Sequence, residues 1–110
     1  MDMVVKQFEV YLVSLDPTKG SEIRKTRPCV VISPNEMNDF LNTVLVIPLT
    51  STKRAYPTRV DCTFENKEGQ VAIDQMRAVD KIRLVKKLGH FKDKTFMQDV
   101  MNVLQKMFSL

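Results

Sequence analysis

The spacing of apolar residues changes character once along the chain. From Phe8 to Phe91 they come in short runs, alternating or nearly so with polar neighbours; after Asp93 they recur at helical intervals. Phe8-Glu-Val-Tyr-Leu-Val-Ser-Leu15 reads as a strand that ends at the turn signal Asp16-Pro17. A polar loop over Lys19 to Thr26 follows, with Gly20 free to take an unusual backbone angle. Pro28 pushes Arg27 toward extended backbone at the mouth of the strand Cys29 to Ser33. Pro34 to Asn42 reads as a loop in which Asn35 to Asp39 allows a short helical turn. Thr43 to Leu49 is the next strand, and Pro48, which has no N–H to donate, implies an edge position or a bulge.

A second loop, Thr50 to Pro57, precedes the alternating strand Thr58 to Phe64, with Val60, Cys62 and Phe64 on one face. Asn66 to Gly69 is expected to turn the chain into a partner strand, Gln70 to Asp74. Gln75 to Arg83 spaces Met76, Val79 and Ile82 by three, which suits a 3₁₀ or helical piece as well as an irregular strand. Leu84 to Phe91 is the last strand. Beyond Asp93, an N-cap candidate, Phe96, Met97, Val100, Met101, Val103, Leu104, Met107 and Phe108 mark a helix. Phe96 stands where a capping box would need an acid. Short strands with frequent turns and one terminal helix predict a mainly β protein, a small curled barrel with the helix packed across its open side. Strands do not alternate with long helices, which excludes a doubly wound fold.

Length and composition narrow the class. The 110 residues make one domain's worth, and 44% hydrophobic with 27% charged residues is globular rather than disordered composition. No signal-peptide pattern opens the chain and no stretch approaches a membrane span, so a cytoplasmic protein without membrane contact is expected. Cys29 and Cys62 sit in apolar or alternating runs and are expected to be reduced; two cysteines and one distant histidine make a poor zinc set.

The net charge of +4 is weak evidence alone, but its distribution is not even. Lys19, Arg24, Lys25 and Arg27 share the first loop with one acid, Glu22. Lys53, Arg54 and Arg59 share the second with none, and Arg77, Lys81, Arg83, Lys86 and Lys87 follow. Charge gathered in loops suits a phosphate backbone. Cleaving a phosphodiester without metal needs a base for the attacking 2′-hydroxyl, charge stabilisation at phosphorus and a proton for the leaving oxygen. His90 is the only histidine and is assigned a structural or surface role, and Asp74 and Asp80 lack the acidic surroundings of a metal pair. Guanidinium and hydroxyl groups remain. Arg27 is a planar donor suited to phosphate, and Thr50, beside Ser51 and Thr52, ends a strand and opens the second basic loop. Glu22 is a candidate base.

These residues also carry a family likeness. Glu9 to Ser33, containing Gly20-Ser-Glu22 and Thr26-Arg-Pro28, resembles the opening of the MazF/PemK toxins of toxin-antitoxin systems. Val46-Ile-Pro-Leu-Thr-Ser51, the strand from Gly69 into Asp74-Gln75, Arg77 to Leu84 and the closing helix match in order. The resemblance implies an SH3-like barrel of the MazF/PemK/CcdB kind, a homodimer, and sequence-specific cleavage of single-stranded mRNA without ribosome, metal or cofactor. A 2′,3′-cyclic phosphate and a 5′-hydroxyl would result. It also implies a cognate antitoxin with an acidic C-terminal tail. The central catalytic positions fall on Arg27 and Thr50, and Glu22 matches a position implicated in some members. Lys19, Ser21, Arg24, Lys25, Ser51, Lys53, Arg54, Tyr56, Arg59, Asp74, Gln75 and Arg77 would line the RNA path.

Some members place a histidine in the first loop and an arginine before the Asp-Gln pair. Ile23 to Thr26 and Ala72 stand there in this chain, which weighs against an Asp74-centred mechanism. Two other readings compete: a gyrase-poisoning toxin of the same fold, and a non-catalytic RNA-binding module. Against the latter, aromatics are few and Tyr56 is the best loop candidate for stacking.

Overall fold

The computed structural model describes residues 3–15 and 26–109. Their elements follow as β1 (Glu9–Ser14), β2 (Thr26–Val31), α1 (Asn35–Phe40), β3 (Thr43–Thr50), β4 (Arg59–Phe64), β5 (Lys67–Ala72), β6 (Arg77–Asp80), β7 (Leu84–His90) and α2 (Lys94–Met107). Single 3₁₀ turns, Ile73–Gln75 and Lys81–Arg83, flank β6. The segment Gln75 to Arg83 is therefore turn, short strand and turn. All pairings are antiparallel, in the order β4-β5-β3-β2-β1-β7, with β6 also on β3.

Alternating side chains give the sheet two apolar faces. Tyr11, Val13, Cys29, Val31, Val44, Val46, Val79 and Leu84 form one buried cluster, drawing on β1, β2, β3, β6 and β7. Their sequence neighbours Val10, Val30 and Ile47 point the other way, into a cluster with Leu49, Val71, Ile73, Met97 and Val100. Five strands thus curl around the first cluster. The curl is not a hydrogen-bonded cylinder: β6 and β7 are joined by the 3₁₀ turn, and no ladder links them among the described residues. The terminal helix was expected across the open side of the curl. Instead it covers the second face, because Met97 and Val100 meet the outward residues of β1, β2 and β3. Asp93 caps it as expected, its Oδ1 accepting from the N–H groups of Thr95 at 2.9 Å and Phe96 at 3.2 Å. A cap of this kind contributes about 1 kcal/mol.

Pro48 is neither at an edge nor in a bulge. β3 is paired on both sides: β2 along one flank, and on the other β6 as far as Val46, then β5 from Leu49. Leu45 lends its carbonyl to Ile32 N–H on the β2 side, so by alternation the Pro48 nitrogen faces the other flank. There it falls where one partner strand has ended and the next has not begun. A missing donor costs nothing at that step.

The turn between β4 and β5 also lies earlier than expected. Lys67, Glu68 and Gly69 pair with Phe64, Thr63 and Cys62, leaving Glu65 and Asn66 as the two turn residues, both at positive φ (51° and 64°). Buried Glu9 ties the start of β1 to β7 by accepting from Lys6 N–H at 2.7 Å and pairing with the Lys87 ammonium at 2.5 Å. Cys29 and Cys62 are free thiols. No helix of the described residues is long and apolar enough to cross a membrane.

Candidate active site

Arg27 and Thr50 meet because of β-sheet register. β2 pairs Cys29 with Pro48, and two residues further out the same register sets Arg27 across from Thr50. Both line one cavity of about 530 Å³, together with Ser51 and Thr52. Its floor is apolar, formed by Leu12, Pro28, Leu49, Cys62, Phe64 and Leu88. Arg27 is exposed and Thr50 half-buried, so the guanidinium stands at the rim. The Thr50 hydroxyl oxygen accepts from Thr52 N–H at 3.1 Å. That bond fixes the oxygen and leaves its own proton available for an incoming oxygen.

Cys29 lies just behind Arg27. Burial pushes its thiol up to about 12, against the opposing pull of Arg27 and Arg77. The two guanidinium groups therefore act on the same end of the sheet. The buried thiol is a packing residue, with too little thiolate near neutral pH to act as a nucleophile.

The second basic loop is held at both ends. Buried Gln70 donates to the Arg54 carbonyl (3.1 Å) and to Asp61 Oδ1 (2.9 Å), and accepts from Arg54 N–H at 2.9 Å. At the far end Asp74 accepts from Thr58 Oγ1 (2.9 Å) and from Arg59 Nε (2.8 Å) and Nη2 (3.3 Å). Arg59 also lies 5.2 Å from the centroid of the Tyr56 ring, within range of a cation–π contact. The Arg59 guanidinium beside Asp74 holds that carboxyl below the usual carboxylate range.

Arg27, Thr50 and Ser51 are thus gathered in one cavity. Lys53 lines a neighbouring one with Asp61 and His90. Arg59 contacts both Tyr56 and Asp74 instead, and Arg54 is fixed through its backbone. Gln75 is exposed at the end of a 3₁₀ turn, and exposed Arg77 begins β6 opposite Val46. Lys19, Ser21, Glu22, Arg24 and Lys25 lie outside the described residues.

Sequence reasoning missed Gln70 and misread Gly69. Gly69 belongs to β5, where a Cβ would overlap the Thr50 carbonyl oxygen. Only glycine lets the β4–β5 hairpin lie this close to the strand end that carries Thr50. The available signal was a polar amide and a glycine leading into the buried run Val71-Ala-Ile73.

The antiparallel curled sheet with its terminal helix is shared with solved toxins. The chain superposes on a crystal structure of MazE-MazF from Deinococcus radiodurans with a TM-score of 0.81 at 24% identity, covering 96% of each chain. It superposes on a mycobacterial endoribonuclease in complex with its cognate antitoxin with a TM-score of 0.77 at 24% identity, covering 93% of this chain and 92% of that one. The fold is the MazF fold. In sequence, the chain is 33% identical over 107 residues to the Endoribonuclease MazF of Staphylococcus saprophyticus subsp. saprophyticus, covering 92% of this chain and 88% of that protein. The pattern of the PemK-like, MazF-like toxins of type II toxin-antitoxin systems matches residues 6–108. The chain belongs to that toxin family.

Two outcomes test this architecture. Because the Asp74 pKa is lowered in the folded state, the pair stabilises the fold above the unfolded carboxylate pKa, about 4, and the contribution disappears as pH falls through the folded value. Urea unfolding should therefore show Asp74→Asn less stable than wild type at pH 7, with the gap closing in strong acid and narrowing in high salt. Gln70→Leu should release the loop and speed tryptic nicking after Lys53 or Arg54 roughly tenfold, since backbone bonds of about 1 kcal/mol each are lost. Unchanged nicking would mean the loop is held by something else.

Proposed function

We propose that this chain is a toxin endoribonuclease that cuts single-stranded RNA at a short recognition sequence, independently of the ribosome and of metal. The observation that carries the reading is the shared cavity of Arg27 and Thr50. A permanent cation and a hydroxyl donor lining one cavity support a site in which one phosphodiester meets both. The 2′-oxygen attacks phosphorus, the bond to the 5′-oxygen breaks, and the products are a 2′,3′-cyclic phosphate and a 5′-hydroxyl. Arg27 stabilises the charge that develops on the phosphorane oxygens and hydrogen-bonds the leaving oxygen as that oxygen takes a proton from water. Thr50 holds a phosphoryl oxygen through the proton left free by its bond to Thr52. Glu22 is the candidate base that takes the 2′-hydroxyl proton.

Lys53, Arg54 and Arg77 supply positive charge along the RNA path, with Lys19, Ser21, Arg24 and Lys25 of the first loop. Arg59, Tyr56, Asp74 and Gln75 act mainly by shaping the second loop's exit. The whole chain works as one catalytic domain, paired as a homodimer in the cytoplasm. The mycobacterial relative solved with its cognate antitoxin supports an antitoxin partner here. An acidic antitoxin tail over the basic loops would exclude RNA by competing for the same cations.

Mapping both ends of transcripts incubated with the purified protein tests the reading directly. Cyclic phosphate and 5′-hydroxyl ends should appear at one recurrent sequence, and chelator should leave the rate unchanged. Arg27→Ala should lower the rate by at least about 100-fold while leaving the unfolding midpoint within error. Cutting that survives this substitution, or that stops with chelator, would overturn the mechanism; intact RNA would favour a gyrase poison or a binding module.

A further inference from the structure

The cavity that holds Arg27 and Thr50 does not end at those residues. Its far wall is the β4–β5 hairpin, which contributes Glu65, Lys67, Glu68 and Gly69. The adjoining cavity shares Cys62, Phe64, Glu65, Glu68 and Leu88 with it, so the two form one groove with the acidic hairpin at the saddle. Glu65 and Glu68 are exposed, and neither is in an ion pair among the described residues. The hairpin's position is built in. The two-residue turn holds Glu65 at positive φ, and Gly69 lets β5 press against the Thr50 carbonyl.

A ligand moving along this groove meets two different chemistries. At Arg27 and Thr50 a phosphate is attracted. At the hairpin two carboxylates against the single ammonium of Lys67 make a phosphate less welcome, because ionised carboxylates only accept hydrogen bonds. What fits there is a flat, uncharged group with N–H donors on its edge, able to cover the apolar floor of Leu12, Pro28, Leu49, Cys62, Phe64 and Leu88. An unstacked nucleobase carrying an exocyclic amino group has this character. Uracil, which presents two carbonyl oxygens around its single ring N–H, has it least.

We infer that Glu65 and Glu68 are specificity-determining residues, which accept hydrogen bonds from the amino-bearing edge of a base flanking the scissile phosphate and so disfavour uracil at that position. The inference rests on the nuclease reading above. It assigns the acidic hairpin, rather than the basic loop alone, to base selection.

The test is cleavage of a randomised single-stranded RNA library by wild type, Glu65→Gln, Glu68→Gln and the double variant, with sequencing of the bases on either side of each cut. Wild type should show one flanking position depleted in uracil. Glutamine can donate as well as accept, so the double variant should raise relative cutting at uracil there about tenfold. Thermal unfolding run alongside should place the variants within error of wild type, the changed groups being exposed. A wild type that cuts with no uracil depletion, or a double variant with an unaltered base profile, overturns this inference and leaves the nuclease standing. A wild type that cuts no RNA overturns both.

Discussion

One strand has to serve three neighbours. β3 pairs with β2 along one flank and hands its other flank from β6 to β5 midway, and the rest of the molecule is arranged around that transfer. The first half of β3 belongs to the curled sheet and its inner cluster. The second half carries the outer hairpin away from it. Pro48 sits at the step, where a residue unable to donate is free of cost. Thr50 is then the last residue of the strand, paired with Gln70 of β5. Arg27 reaches the same place because β2 runs in register with it. The proposed catalytic pair, far apart in sequence, is thereby brought together by sheet register.

The electrostatics follow the same division. Among the described residues, positive charge that bears on the proposed chemistry stands at the rim unpaired with carboxylates, as at Arg27. Positive charge used for construction is neutralised, as with Arg59 on Asp74 and Lys87 on Glu9. In Glu9 burial alone would raise the pKa, but bonds from Lys87 and Lys6 outweigh it and hold the carboxyl low. Basic composition therefore overstates the cations available to a phosphate backbone. Among the residues grouped from sequence as one basic loop, Lys53 and Arg59 have separate employments.

Local signals were legible and long-range ones were not. The Arg27-Pro28 step, the alternation of Val60, Cys62 and Phe64, and the Asp93 cap each depend on a few adjacent residues, and each could be read. The curled β architecture followed from strand lengths and the terminal helix. Pro48 was assigned an edge position or a bulge because its sequence context says nothing about which strand ends beside it. Gly69 looked like a turn glycine because its neighbour, the Thr50 carbonyl, lies 19 residues away in sequence. Gln70 escaped notice for a related reason: two of its bonds go to main-chain atoms of Arg54, which have no sequence signature, and the third reaches Asp61 across the β4–β5 ladder. Arg27 and Thr50 were candidates by residue type and strand-end position, but only the family likeness joined them in one site.

The grip of Gln70 on Arg54 has a further bearing on how such a protein could diversify. Because the amide holds peptide atoms, the path of the loop is independent of the side chains it displays. Exchanging Lys53, Arg54 or Ala55 would change what the loop offers to a nucleic acid while the rails beneath it stay put. On the proposed reading, recognition is a replaceable fitting on a fixed cutting head, and a new sequence preference can be reached without rebuilding Arg27 and Thr50.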